Sequence, residues 1–113
     1  MIKCKLCGKK YTFKHGSGTK KYCAKCYYLI YRLKVKIKCI DIKGGKCGKC
    51  GYDKSLRALS FHHINERDKS FDISDNLCKK WKDILEELDK CILLCENCHV
   101  EIHSDETEEK YDL

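Results

Sequence analysis

The chain contains no proline, and lysines interrupt its apolar runs at short intervals. The first absence leaves no proline-rich linker between its parts. The second leaves no segment approaching the roughly 20 apolar residues that a membrane-spanning helix needs, so no membrane partner is expected. Repeats of solenoid length are also absent. The start of the chain, "MIKCKLCGKK", is charged from its third residue and lacks the apolar stretch of a secretory leader. An intracellular setting is therefore expected, cytoplasmic or nucleoid-associated, and a phage or viral source is compatible with it. Acid is scarce in the first sixty residues, where only Asp41 and Asp53 stand against 17 Lys and Arg; residues 61–113 carry 7 basic against 15 acidic side chains. A strongly basic half is the electrostatic footprint of a polyanion binder, and for a small metal protein the usual polyanion is nucleic acid.

Cysteine is abundant, at eleven in 113 residues. In a secreted chain that density would suggest disulfides, but in a reducing compartment four C-x-x-C pairs read as metal knuckles. This length holds one ordinary domain, or two small ones that metal binding must help to fold. Cys4-x-x-Cys7 and Cys23-x-x-Cys26 are separated by fifteen residues, a spacing that fits a four-cysteine structural zinc site of ribbon or knuckle type. The two knuckles are expected to flank a short hairpin whose loop carries His15, Gly16 and Gly18, with His15 at the surface. Residues 27–43 favour a basic helix that ends at Gly44-Gly45 and offers Arg32, Lys34, Lys36 and Lys38 to phosphates. Most of Tyr11, Tyr22, Tyr27, Tyr28 and Tyr31 are expected to pack the small zinc core, and Cys39 to be a buried apolar residue. Residues 1–43 thus form a first, substrate-holding unit, and residues 44–113 a second.

The second unit opens with Cys47-x-x-Cys50, followed by a short strand in "LRALSFHH" and a helix in "WKDILEELDK", with Trp81, Ile84, Leu85 and Leu88 as its apolar stripe. "CILLC" reads as a buried strand, "CENCHVEIH" as the start of a last helix, and "DETEEKYDL" as a frayed tail. Cys78 and Cys91 are expected to be buried. On the last helix His99 and His103 stand four apart and share a face, whereas Cys95 and Cys98 belong to the knuckle before it. Two sites follow: Cys47, Cys50, Cys95 and Cys98 close a structural zinc, and His99 with His103 needs a third ligand. His62-His63 supplies it. Neighbours on a strand point to opposite faces, so one of the pair ligates and the other stands beside the ion with a free nitrogen. Three ligands with open positions describe a catalytic metal, and a free imidazole beside it a general base.

The ordered run Cys47-x-x-Cys50, His62-His63, Cys95-x-x-Cys98-His99-x-x-x-His103 resembles the HNH endonucleases, the ββα-metal nuclease family, over residues 44–104. "HHINERDKSFDIS" is similar to the segment after the double histidine in small phage-type members, and "HVEIH" to the metal-binding helix of the nuclease colicins. The resemblance implies a small zinc-stabilised α+β fold, a four-cysteine zinc ribbon or knuckle followed by a ββα-metal domain. It implies that His62, His99 and His103 hold one catalytic divalent metal and that His63 is the general base for hydrolysis of DNA phosphodiester bonds. The expected cofactors are then two structural Zn²⁺ and one further ion, with Mn²⁺ or Ni²⁺ favoured over Mg²⁺ by three imidazoles; a Mg²⁺ preference would bring in a carboxylate such as Asp72 or Glu101. Arg57, Arg67 and Lys69 are further candidates for phosphate contact. The family's asparagine, five residues before the third cysteine, is Lys90 here, which leaves a backbone carbonyl, Asn65 or Asp89 to orient His63, with Asn97 in the knuckle. One site per chain cuts one strand per visit, so double-strand cutting implies a homodimer or two encounters. The rival expectation is a non-catalytic adaptor that binds nucleic acid through two zinc sites and has no use for His63.

Overall fold

The computed structural model describes residues 1–13 and 19–112; the expectations for His15, Gly16 and Gly18 lie outside them. The chain divides into two compact units, Met1–Val35 and Lys36–Leu113.

In the first unit β1 (Ile2–Lys3) and β2 (Lys10–Tyr11) pair antiparallel, Ile2 opposite Tyr11 and Lys3 opposite Lys10. The strands bracket the first knuckle itself, with β1 before it and β2 after it, whereas the sequence suggested a hairpin between the two knuckles. Local hydrogen bonds explain the difference: the Cys4 N–H donates to the Lys9 carbonyl at 2.9 Å and the Gly8 N–H to the Cys4 carbonyl at 3.0 Å. Gly8 turns the chain with a φ of 76°, a left-handed conformation that a side chain resists. The same turn recurs at Cys47–Gly51, where Gly51 has a φ of 81° and donates to the Cys47 carbonyl. Apart from Cys4, Cys26 and Val35, no apolar residue described in this unit is buried.

Helix α1 (Ala24–Ile42) runs from the second knuckle through the point of division between the units. The Gly45 N–H returns to the Ile40 carbonyl at 2.9 Å, closing the helix where the glycine pair stands. Tyr27, Tyr28 and Tyr31 are exposed, as are Leu29, Leu33 and Ile37. These three tyrosines therefore do not pack the zinc core as expected, because the helix carries them away from the knuckle, whereas Tyr11 and Tyr22 are half-buried.

The second unit is built on β3 (Leu59–His63) and β4 (Cys91–Cys95), paired antiparallel from Leu59–Cys95 to His63–Cys91. Between them lie α2 (Trp81–Leu88) and two single turns, Glu66–Asp68 and Ile73–Asp75. Ile84 and Leu88 of α2 are buried, while Leu85 is over a third exposed and Lys38 covers the Trp81 ring with its ammonium 4.5 Å from the ring centre. The core joins Ile40, Cys47, Leu59, Leu93, Leu94, Cys95 and Cys98, with Tyr52, Phe61 and Ile102 against them. Full burial of a leucine such as Leu94 stabilises by about 2 kcal/mol. Cys39 and Cys91 are buried as expected, but Cys78 is exposed, because the segment before α2 lies on the surface and buries Leu77 in its place.

Helix α3 (Glu96–Tyr111) follows β4 directly. It includes most of the tail that composition marked as frayed: glutamates are good helix formers, and Lys110 sits in the last turn where the helix dipole favours a cation. Among the described residues, no helix is long and apolar enough to cross a membrane.

Candidate metal centres and the paired histidines

Three groups of side chains converge so that one ligand atom from each lies within 4.8 Å of the others: Cys4, Cys7, Cys23 and Cys26; Cys47, Cys50, Cys95 and Cys98; and His62, His99 and His103. Four sulfurs around a tetrahedral zinc, each at about 2.3 Å from the ion, stand about 3.8 Å apart. The sulfurs of Cys7 and Cys23 are 3.9 Å apart and those of Cys50 and Cys95 3.6 Å. Both four-cysteine clusters therefore have the donor set and the spacing of zinc sites.

The clusters also prepare charge. Burial pushes the Cys47 thiol up, but the backbone N–H groups of Cys50, Cys95 and Lys49 and the Cys50 thiol draw it down to about 6. Cys4 reaches about 6 for the same reasons, with Cys7, Cys23 and Leu6 supplying the N–H groups. Burial and the neighbouring cysteines push Cys26 and Cys98 up to about 12. Cys4 and Cys47 are thus disposed to be thiolates, and a divalent cation is what would allow Cys26 and Cys98 to ionise.

The histidine cluster joins a strand to a helix. His62 shares one face of the β3–β4 pair with Ile92 and Leu94, by alternation along the strands. His99 and His103, one turn apart on α3, meet it with ring centres 5.2 and 5.4 Å away and 4.5 Å from each other. Their Nε2 atoms approach to 3.0 Å, near the roughly 3.3 Å expected of two imidazoles on one tetrahedral ion. Burial and the two neighbouring imidazoles hold His62 below the ordinary histidine value, so at neutral pH its lone pair is available. His103 is exposed, which leaves the cluster open on one side. The other His103 nitrogen, Nδ1, lies 3.5 Å from a Glu106 carboxylate oxygen, the usual way a carboxylate steadies a ligating ring. Because Glu106 is exposed, Glu106→Ala is expected to weaken metal binding at the histidine cluster by about tenfold, the low end of such effects. A Co²⁺ titration of the zinc-loaded chain, followed by visible absorption, measures this; an unchanged constant would make Glu106 a solvated helix charge.

His63 points to the opposite face of β3, where only 5% of it is exposed, and so it is not in the open beside the three-histidine cluster, where the sequence suggested a free imidazole. Its Nε2 is 2.7 Å from a Glu87 carboxylate oxygen on α2. Glu87 is itself 1% exposed. The same oxygen accepts the Ser70 N–H at 2.9 Å and the Phe71 N–H at 3.5 Å, and the other accepts from the Lys90 ammonium at 2.9 Å. Burial pushes this carboxyl up, but Lys90, Ser70, His63 and Phe71 together pull it down to about 2, so it is an anion. The sequence offered a backbone carbonyl, Asn65 or Asp89 as the partner of His63; the partner is Glu87. Asn65 instead accepts the Arg67 N–H at 3.0 Å, and Asp89 is exposed at the end of α2. Glu87 was missed because "ILEELDK" reads as alternating core and solvated acid, and nothing local marks which acid faces inward.

The other candidates are scattered. Arg32 lies over the Tyr28 ring, and Lys36 is half-buried. Lys34 and Lys38 are exposed, Lys38 with its ammonium over the Trp81 ring. Arg57 and Arg67 are exposed; Lys69 is bound to Asp72 at 2.6 Å. That pair occupies one of the two carboxylates considered for a Mg²⁺ site, and Glu101 and Asn97 are exposed. No family model, curated protein or solved structure matches the chain.

Proposed function

We propose that the protein is a metal-dependent DNA endonuclease of the HNH type, with His63 as its general base and His62, His99 and His103 as the ligands of a single divalent ion. The observation that carries this reading is the strand bearing His62 and His63, which puts one imidazole into an open three-histidine cluster and the next against a buried carboxylate. A purely structural zinc site closes its fourth position with protein and has no use for a second, separately held histidine. When bound, the ion would supply positive charge to the scissile phosphate and its leaving oxygen. His63 takes a proton from water as the water oxygen bonds to phosphorus. The bond from phosphorus to the 3′ oxygen breaks, and that oxygen takes a proton from solvent, leaving 5′-phosphate and 3′-hydroxyl ends. Arg57 and Arg67, and Arg32, Lys34, Lys36 and Lys38 on α1, are the candidates for phosphate contact, and cutting of both strands would take a homodimer or two encounters.

Supercoiled-plasmid cleavage with Mn²⁺, Ni²⁺, Zn²⁺ and Mg²⁺ tests the reading. Nicking is expected with Mn²⁺ or Ni²⁺ ahead of Mg²⁺, since three imidazoles and no carboxylate suit the softer ions. No cutting with any of the four, by a chain that carries its zinc and retards DNA, would remove the nuclease. The second reading, a non-catalytic nucleic-acid-binding adaptor with two zinc sites, draws on the exposed tyrosines among the lysines of α1, which suit stacking on bases. Metal content separates the two: a third, chelator-labile ion belongs to the nuclease and two tight zincs to the adaptor.

A further inference from the structure

We propose that Glu87 is the positioning residue for His63: its carboxylate accepts the Nε2–H and so fixes the ring as the tautomer whose Nδ1 lone pair is free. This rests on reading His63 as the base.

The arrangement costs enough to need a reason. A buried carboxylate is stabilising only when its hydrogen bonds offset the loss of water, and Glu87 is held by four groups from three separate segments. His63 comes from β3, the Ser70 and Phe71 N–H groups from the chain after it, and Lys90 from the turn into β4. Lys90 also donates to the Ser70 hydroxyl at 3.1 Å, tying two of those segments to each other. Replacing buried charged side chains such as these by apolar ones of equal volume is often neutral or better for stability alone. What an apolar set cannot do is select one ring nitrogen of a histidine. A carboxylate can, because it only accepts hydrogen bonds and therefore demands a proton on the nitrogen that faces it.

Among the described residues no buried side-chain nitrogen or oxygen lacks a hydrogen-bond partner, and Glu87 is the side-chain partner of the ring, through Nε2. With Nε2 so engaged, Nδ1 is the ring atom left to accept a proton. A water at Nδ1 would complete the order carboxylate, imidazole, water, with the carboxylate steadying the imidazolium once the proton has moved. The arrangement also gives Lys90 a purpose in the place where the HNH pattern has asparagine. The lysine anchors the carboxylate that orients the base.

Long-range ¹H–¹⁵N correlation on the zinc-loaded full chain, at a pH where the histidines are neutral, reads the tautomer directly. Wild-type His63 is expected as the Nε2–H form, and Glu87→Gln, whose amide can donate as well as accept, as a mixture. In cleavage assays Glu87→Gln is expected to lower kcat on the order of 100-fold with KM within about twofold. Co²⁺ binding at the histidine cluster should stay unchanged. An Nδ1–H tautomer in the wild type, or a Glu87→Gln chain that keeps both tautomer and kcat, overturns the assignment. If the wild type cuts nothing, the nuclease reading fails by itself, and the wild-type tautomer still decides whether Glu87 positions His63. That last measurement needs no variant to fold.

Discussion

Replacing Cys47 with serine is expected to abolish the cooperative folding of the second unit, and stripping the protein of metal to abolish that of both. Cys50 and Cys95 are 45 residues apart in the chain with their sulfurs at 3.6 Å. Closing a loop of that size removes about 4 kcal/mol of entropy from the unfolded chain on the reckoning used for disulfides. Metal binding at small structural zinc sites adds about 10 kcal/mol or more, against a total stability of about 5–15 kcal/mol for an ordinary domain. The first unit is the more exposed to this loss, since the apolar residues it buries among those described are two cluster cysteines and Val35. Thermal unfolding followed by circular dichroism, before and after a strong chelator, checks the expectation. A chelated chain that keeps its melting transition would mean that the clusters are not what holds the fold. The dependence on acid has a definite sign. Ligands must be deprotonated to bind, so metal is retained at neutral pH and lost as pH falls, and fold stability falls with it.

His63→Ala is expected to lower the cleavage rate by about 10²–10⁴-fold, the usual contribution of a general base, while the histidine cluster binds Co²⁺ as before. His63 is outside that cluster, and its removal leaves Glu87 with Lys90 and the Ser70 and Phe71 N–H groups, so the carboxylate is not stranded and the chain should still fold. His99→Ala should lose metal and cutting together. Cleavage and Co²⁺ titration of the two variants side by side separate base from ligand. A His63→Ala chain that cuts at the wild-type rate would leave the imidazole as a buried partner of Glu87 and nothing more.

Both cysteine clusters were legible because each needs only two local C-x-x-C turns and a count of four. The histidine cluster was legible for a related reason. The spacing of His99 and His103 is a property of one helix, and one residue of any neighbouring pair on a strand must face it. What escaped depended on which surface a distant segment covers. Glu86 and Glu87 are adjacent acids on α2, one exposed and one buried, and the choice is made by Ser70, Phe71 and Lys90 folding over the second. Cys78 and Cys91 are alike in sequence, yet only β4 carries its cysteine inside. The tyrosines of α1 failed differently: zinc sulfur can replace an aromatic core, and composition cannot tell which of the two fills the space.

The pairing of β3 with β4 has a consequence for how such a site can change over generations. His62 and His63 hold their separate environments only because Leu59 stands opposite Cys95, and a slip of one residue would send each to the other's face. Cys95 is at the same time a member of the four-cysteine cluster, and the Gly48 N–H from the first knuckle donates to the Leu93 carbonyl at 2.7 Å. The cluster therefore indexes the strand. Point substitutions can alter either histidine, but a single-residue insertion between Leu59 and His62 would exchange their surroundings at one stroke. Lineages carrying this arrangement should accordingly tolerate length changes in the exposed residues 64–68 far more readily than in the five residues of β3.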